Sequence, residues 1–343
     1  LTVTGAVLSS GSLTVGSLTA GGNLTAAGTL ASSGAINAAA IAFGTGTFSA
    51  TNLVASGAFT NAGATTLTGS LTATSVTQSA GSLSAATLST TGAFALQAGT
   101  ATIAGTGSLA STSITLGDNT TLTAPVVNNS GLITLGTGAV LNLNHNRDIT
   151  LAAPIGGTGS LTVSTANVIT LSGAFGLPAV NVSGNTLALK GVVSTASDFT
   201  KSGTGLLVLS AVNTYTGATF INGGTLRINS DSALGAAATA VTVAAGGTLD
   251  LSGSVVANNI NLFGRTVTIA GTGVGNAGAI VNNSNFTQTS AIQALTLSAD
   301  ASIGGTQGWN VGGIALELAG FTLTKTGSNT IAIDGPIVAE GNL

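Results

Sequence analysis

Gly223-Gly224-Thr225-Leu226-Arg227-Ile228 returns one period further on as Gly246-Gly247-Thr248-Leu249-Asp250-Leu251, and this recurrence decides the fold. A glycine pair supplies the positive φ of a tight corner, and the alternating apolar residues behind it read as a short strand with one face turned inward. Gly136-Thr137-Gly138-Ala139-Val140 recurs as Gly157-Thr158-Gly159-Ser160-Leu161, and two periods beyond that as Gly203-Thr204-Gly205-Leu206-Leu207. A unit of about 20–23 residues, a period that marks solenoids, fits all of these spacings.

Nearer the start the rhythm is finer. Leu13, Leu18, Leu24, Leu30, Ile36, Ile41, Phe48, Leu53 and Phe59 follow one another at steps of five to seven residues, with small polar residues and glycines between them. Such steps are too long for the alternation of one strand and lack the period of a helix, so the recurring element is a short strand plus a turn. Three such strands and their corners make one coil. The 51 glycines and abundant Thr and Val disfavour long helices. The expected fold is all-β, a right-handed parallel β-helix (β-solenoid) of about 20–23 residues per coil, in which each coil pairs with those before and after it.

Such stacking sets like residue on like. Leucine should lie over leucine inside, and Asn128, Asn129, Asn142, Asn144, Asn146, Asn258, Asn259, Asn282, Asn283 and Asn285 are candidate ladder or corner residues. Identical charges stacked directly would repel, which accounts for a charged content of only 4%. The chain reads as one continuous solenoid over 1–343 with three textures: charge-free regular coils over 1–116, middle coils over 117–198, and longer repeats over 199–343.

The net charge is −3 and the six basic residues are scattered from Arg147 to Lys325, so nothing marks a nucleic-acid partner. Mean hydropathy is +0.59, raised by alanine, yet no apolar run approaches the roughly 18 residues of a membrane span. With no cysteine, the coils must be held by stacking and hydrogen bonds alone. With no methionine, and Leu1-Thr2-Val3 already reading as strand, the chain is expected to be a processed or excised piece of something longer.

The third texture resembles the passenger-associated strand repeat of bacterial autotransporters. The match is carried by Phe199-Thr200-Lys201-Ser202-Gly203-Thr204-Gly205-Leu206-Leu207-Val208-Leu209-Ser210, then Asn213-Thr214-Tyr215-Thr216-Gly217, Ile221-Asn222-Gly223-Gly224-Thr225-Leu226 and Ala233-Leu234-Gly235. A second copy begins at Leu323, with Leu323-Thr324-Lys325-Thr326-Gly327 aligned on Phe199 to Gly203. The first part is loosely similar to filamentous haemagglutinin-type adhesins. The resemblance implies a right-handed β-helical passenger, extracellular or displayed at the bacterial surface, in which the repeat is structural and not catalytic.

The densest titratable cluster is Asn144-His145-Asn146-Arg147-Asp148, with the only histidine; it reads as a polar corner. Glycoside-cleaving β-helices need converging carboxylates, whereas the nine acids here, Asp118, Asp148, Asp198, Asp231, Asp250, Asp300, Glu317, Asp334 and Glu340, are dispersed. Stacking brings Asp231 and Asp250, just under one coil apart, nearest to one rung. Gly271-Thr272-Gly273-Val274-Gly275-Asn276 has phosphate-loop glycines without the lysine and reads as a turn. Tyr215 and Trp309 are the two candidate sugar-stacking rings, read respectively as a repeat residue and a loop anchor. No catalytic, cofactor-binding or metal-ligating residue is assigned, and no cofactor. The expected function is a non-enzymatic structural module of a surface fibre (stalk, adhesin scaffold or filament subunit). Expected partners are copies of itself, other surface proteins, or host or matrix glycans. The alternatives are a carbohydrate-active β-helix enzyme and a trimeric stalk.

Overall fold

The structure is a computed structural model and describes the chain except for residues 105–106, 145–146, 253–258 and 339–340. The described residues contain no α-helix; short parallel strands are joined by turns, with one-turn 3-10 segments at Asp231–Leu234 and Val274–Asn276. Two compact units form, Leu1–Thr162 and Val163–Leu343.

In the first unit the strands recur in threes. Leu18–Ala20, Leu24–Ala26 and Leu30–Ser32 make one coil, and Ile36–Ala38, Ile41–Phe43 and Thr47–Ala50 the next. Parallel pairing sets Leu18 against Ile36, Leu24 against Ile41 and Leu30 against Phe48. These first coils are shorter than the later glycine repeats led one to expect, because strands of three residues with tight corners leave nothing to lengthen them. Three of the six-residue beats set the shorter length. Coils grow along the unit, and Leu88 is paired with Leu109, a wider step than that from Leu18 to Ile36. All three strand rows of each coil come from one chain.

Alternation decides which side chains enter the core. Leu24 and Ala26 are buried while Thr25 between them is exposed, and burying each leucine contributes roughly 2 kcal/mol. Phe43 stacks on Phe48 with ring centroids 3.9 Å apart and meets Phe59 edge-on at 5.6 Å. Asn61 and Gln78, buried one above the other, form a polar rung inside, the Asn61 amide donating to Gln78 Oε1 at 2.7 Å. This pair, not the asparagines singled out from sequence, is the clearest buried amide ladder. Of those asparagines, Asn129 and Asn282 are buried at strand ends, Asn128 is exposed, and Asn146 and Asn258 lie outside the described residues.

The second unit keeps the stacking but changes the cross-section. Leu187, Leu207, Leu226 and Leu249 lie one over another, and the glycine-corner repeat pairs Gly224 with Gly247, Thr225 with Thr248 and Arg227 with Asp250. A second row of strands runs through Ala179–Val182, Phe199–Ser202, Thr219–Ile221 and Val241–Val243. Over residues 210–218 and 229–240 the expected third strand is replaced by irregular backbone and the Asp231–Leu234 turn. Side chains hold this side instead. Asn213 Oδ1 accepts the Val193 N–H at 2.8 Å, and its amide donates to the Ala233 carbonyl at 2.6 Å. Further on, the long strand Gln288–Gly305 turns a corner, pairing with Thr266–Gly271 through one part and with Ile280–Asn282 through another.

Candidate functional site

Four of the acids, Asp118, Asp198, Asp250 and Asp300, hold coils together. Asp118 Oδ1 accepts the Thr137 N–H, Asp198 Oδ1 the Ala218 N–H, and Asp300 Oδ1 the Thr322 N–H, each at 2.8 Å and each acid one coil ahead of its donor. A carboxylate at these positions satisfies a corner donor left over by the strand ladder. Asp250, fully buried, pairs with Arg227 at 2.9 Å and accepts the Asn283 N–H at 3.1 Å. Asp231 lies instead in the 3-10 turn beside Ser232. The rung that sequence spacing offered to Asp231 and Asp250 therefore belongs to Arg227 and Asp250. Of the 144–148 cluster, Asn144, Arg147 and Asp148 are exposed, and His145 and Asn146 lie outside the described residues, as does Glu340. Among the described residues no group of three or more His, Cys, Asp or Glu is placed to hold a metal ion.

The two candidate sugar platforms are both core residues. Tyr215 is fully buried, its ring 5.4 Å from that of Phe199 and its hydroxyl 2.7 Å from Thr219 Oγ1. Burial pushes its pKa up to about 12, against the opposing hydrogen bond with Thr219 and the nearby Arg265 charge. Trp309 begins the strand Trp309–Glu317, not a loop, and its indole N–H donates to the Gly304 carbonyl at 2.8 Å. The Gly271–Asn276 segment is a turn, as its composition predicted, with Thr248 Oγ1 accepting the Val274 N–H at 2.8 Å.

Lys201 is the residue that sequence reasoning passed over. It shares the inward face of its strand with Phe199 and has no exposed surface. Its ammonium donates to the carbonyls of Ser202 at 2.9 Å, Gly203 at 2.7 Å and, from the following coil, Gly223 at 2.8 Å. Burial pushes its pKa down to about 8, while three accepting carbonyls, which need all three ammonium protons, oppose that shift. The signal was present in the inward phase of this lysine, and the sequence repeats it at Lys325 in the second copy, where the side chain is exposed. Lys325 Nζ donates to the matching carbonyls of Thr326 and Gly327, at 3.3 Å and 2.9 Å.

Gly224 completes this corner. Its φ is +63°, and an added Cβ would lie 2.5 Å from the carbonyl oxygens of Gly203 and Gly205 and 2.7 Å from Lys201 Nζ. Only glycine fits. The sequence profile of the passenger-associated-transport-repeat family matches residues 199–228, the segment built around Lys201 and this corner. Residues 199–228 carry the passenger-associated-transport repeat. In this chain the passenger repeat has Phe199 and Lys201 inside and Gly203 and Gly224 at positive φ, and Tyr215 packs on Phe199. Over 160 residues, 45% of the chain, the protein is 35% identical to the adhesin BmaC autotransporter of Brucella suis biovar 1 (strain 1330). The chain spans 4% of the length of that relative. No solved structure matches it significantly. Among the described residues, no helix is long and apolar enough to cross a membrane.

Proposed function

We propose that this chain is a non-enzymatic scaffold segment of a bacterial surface adhesin, a β-solenoid passenger that extends and presents binding surfaces. The coarser statement, an adhesin-like passenger segment located outside the cell at its surface, follows from the repeat at 199–228 and the similarity to an autotransporter adhesin. The finer one is carried by a single observation. Asp118, Asp198, Asp250 and Asp300 are each committed to a backbone N–H of a later coil. General acid–base cleavage of a polysaccharide needs two carboxyl groups facing one bond, and coil-bonding acids serve stability instead.

Beads coated with the purified chain should attach to host-cell or matrix surfaces without releasing reducing ends from any polysaccharide in a broad panel. Release of reducing ends would favour the carbohydrate-active alternative and overturn the scaffold reading. Self-association of such coils, end to end or side by side, is also supported by sparse charge, which leaves little repulsion between copies. A solution mass above that of one chain, rising with concentration, is the expected result.

A further inference from the structure

In the second unit a surface cleft of about 450 Å³ crosses three consecutive coils between Thr287 and Asp334. Register stacks Gln288, Trp309 and Ile331 along it. The residues before them, Thr287, Gly308 and Thr330, form one outward row, and those after, Thr289, Asn310 and Ala332, form another. Gly308 makes the notch: a Cβ there would sit 3.2 Å from the Thr287 methyl and 3.3 Å from the Thr330 carbonyl oxygen, filling the gap between two threonines. At one end Asp334 is exposed, and its Oδ2 accepts the Asn310 amide at 2.6 Å, which orients the carboxylate.

The lining side chains are hydroxyls, amides and one carboxylate, with no cation, and Trp309 and Ala332 are the apolar members. Hydroxyls and amides both donate and accept, so they suit a ligand dense in hydroxyl groups. An oriented carboxylate accepts from two neighbouring hydroxyls and repels an acidic ligand. The volume lies in the range of small-molecule sites, roughly 300–1,000 Å³. Two coil spacings of about 4.8 Å span roughly 10 Å, room for two sugar units. We propose that this cleft binds a neutral oligosaccharide of hexose or hexosamine units bearing no carboxylate or sulfate, with Asp334 fixing a hydroxyl pair and Gly308 admitting the ring. The site does not depend on the scaffold reading, since a scaffold without it would fold and stack unchanged.

The purified 343-residue chain is applied to a glycan array carrying neutral, sialylated and sulfated sugars, and retained glycans are titrated against wild type, Gly308→Val and Asp334→Asn. Neutral glycans should be retained, with acidic counterparts bound about tenfold more weakly. Gly308→Val should weaken binding by about tenfold or more, and Asp334→Asn should weaken it while narrowing the bias against acidic sugars. Far-UV circular dichroism checks folding; should Gly308→Val misfold, Asp334→Asn decides, because its shape is unchanged and its side chain is exposed. No neutral glycan retained, or wild-type affinity in the folded variants, overturns the proposal.

Discussion

Lys201 sits wholly inside a coil because the carbonyls of Ser202, Gly203 and Gly223 accept its ammonium protons. Lys201→Met keeps the volume but leaves those carbonyls short of a charged donor, and should lower unfolding free energy by about 3 kcal/mol in a urea titration. The same residue predicts a pH dependence. Its folded pKa of about 8 lies below the ordinary 10.5, so between these values the unfolded chain binds more protons and stability rises with pH. Tyr215 works the other way: with its pKa pushed from 10.0 to about 12, the unfolded chain loses that proton first, and stability falls above pH 10. Urea midpoints should therefore rise from about pH 8 to 10 and then level or fall, and the rise should vanish in Lys201→Met. Two adjacent glycines give a sharper contrast. Gly224→Ala forces a Cβ to 2.5 Å from two carbonyl oxygens at positive φ and should cost at least ~2 kcal/mol. Gly223→Ala, whose nearest contact is 3.4 Å, should stay within about 1 kcal/mol of wild type.

Strands and corners were partly legible in the sequence. The alternation in Leu24-Thr25-Ala26 or Leu141-Asn142-Leu143 says which side chains go in, because a strand's two faces are fixed by its own backbone. The loss of the third strand over 210–218 was not legible, since Asn213-Thr214-Tyr215-Thr216 alternates as a strand would. What displaces the strand is Tyr215, whose ring needs the core beside Phe199, and Asn213, whose side chain bonds the coils on either side. Corner acids likewise look like solvated residues until register shows the N–H each one meets. Asp198→Ala should leave the Ala218 N–H without its acceptor and cost about 1 kcal/mol, while Asp198→Asn, which keeps an acceptor oxygen, should cost less; thermal unfolding distinguishes the two.

Because each coil touches mainly its neighbours, the first unit should tolerate removal of a whole coil but not of half of one. Leu71 pairs with both Leu53 and Leu88, and Val76 with both Phe59 and Phe94, so deleting residues 71–87 brings Leu88 onto Leu53 and Phe94 onto Phe59. That deletion should retain the β-sheet circular dichroism spectrum and a cooperative transition. Deleting half of the same coil should abolish the transition, since leucines would then face the wrong side. Ion pairing between exposed side chains contributes little to the stability of these units. One ion pair, Arg227 with Asp250, is found among the described residues, and exposed charges elsewhere are screened.

Taken alone, the order of residues determined the fold class, the inward faces, the glycine corners and the passenger repeat. All of these are properties of short segments or of their recurrence, and parallel stacking simply repeats them. Tertiary structure alone decided that Lys201 is caged by a carbonyl of the following coil, that Asp250 meets Arg227 and not Asp231, that Trp309 belongs to the core, and that Gly308 opens a cleft between two threonines. Each of those outcomes depends on which residue of one coil lies over which residue of the next. That register is set jointly by every corner in between, whose lengths vary from coil to coil, so no single segment contains it.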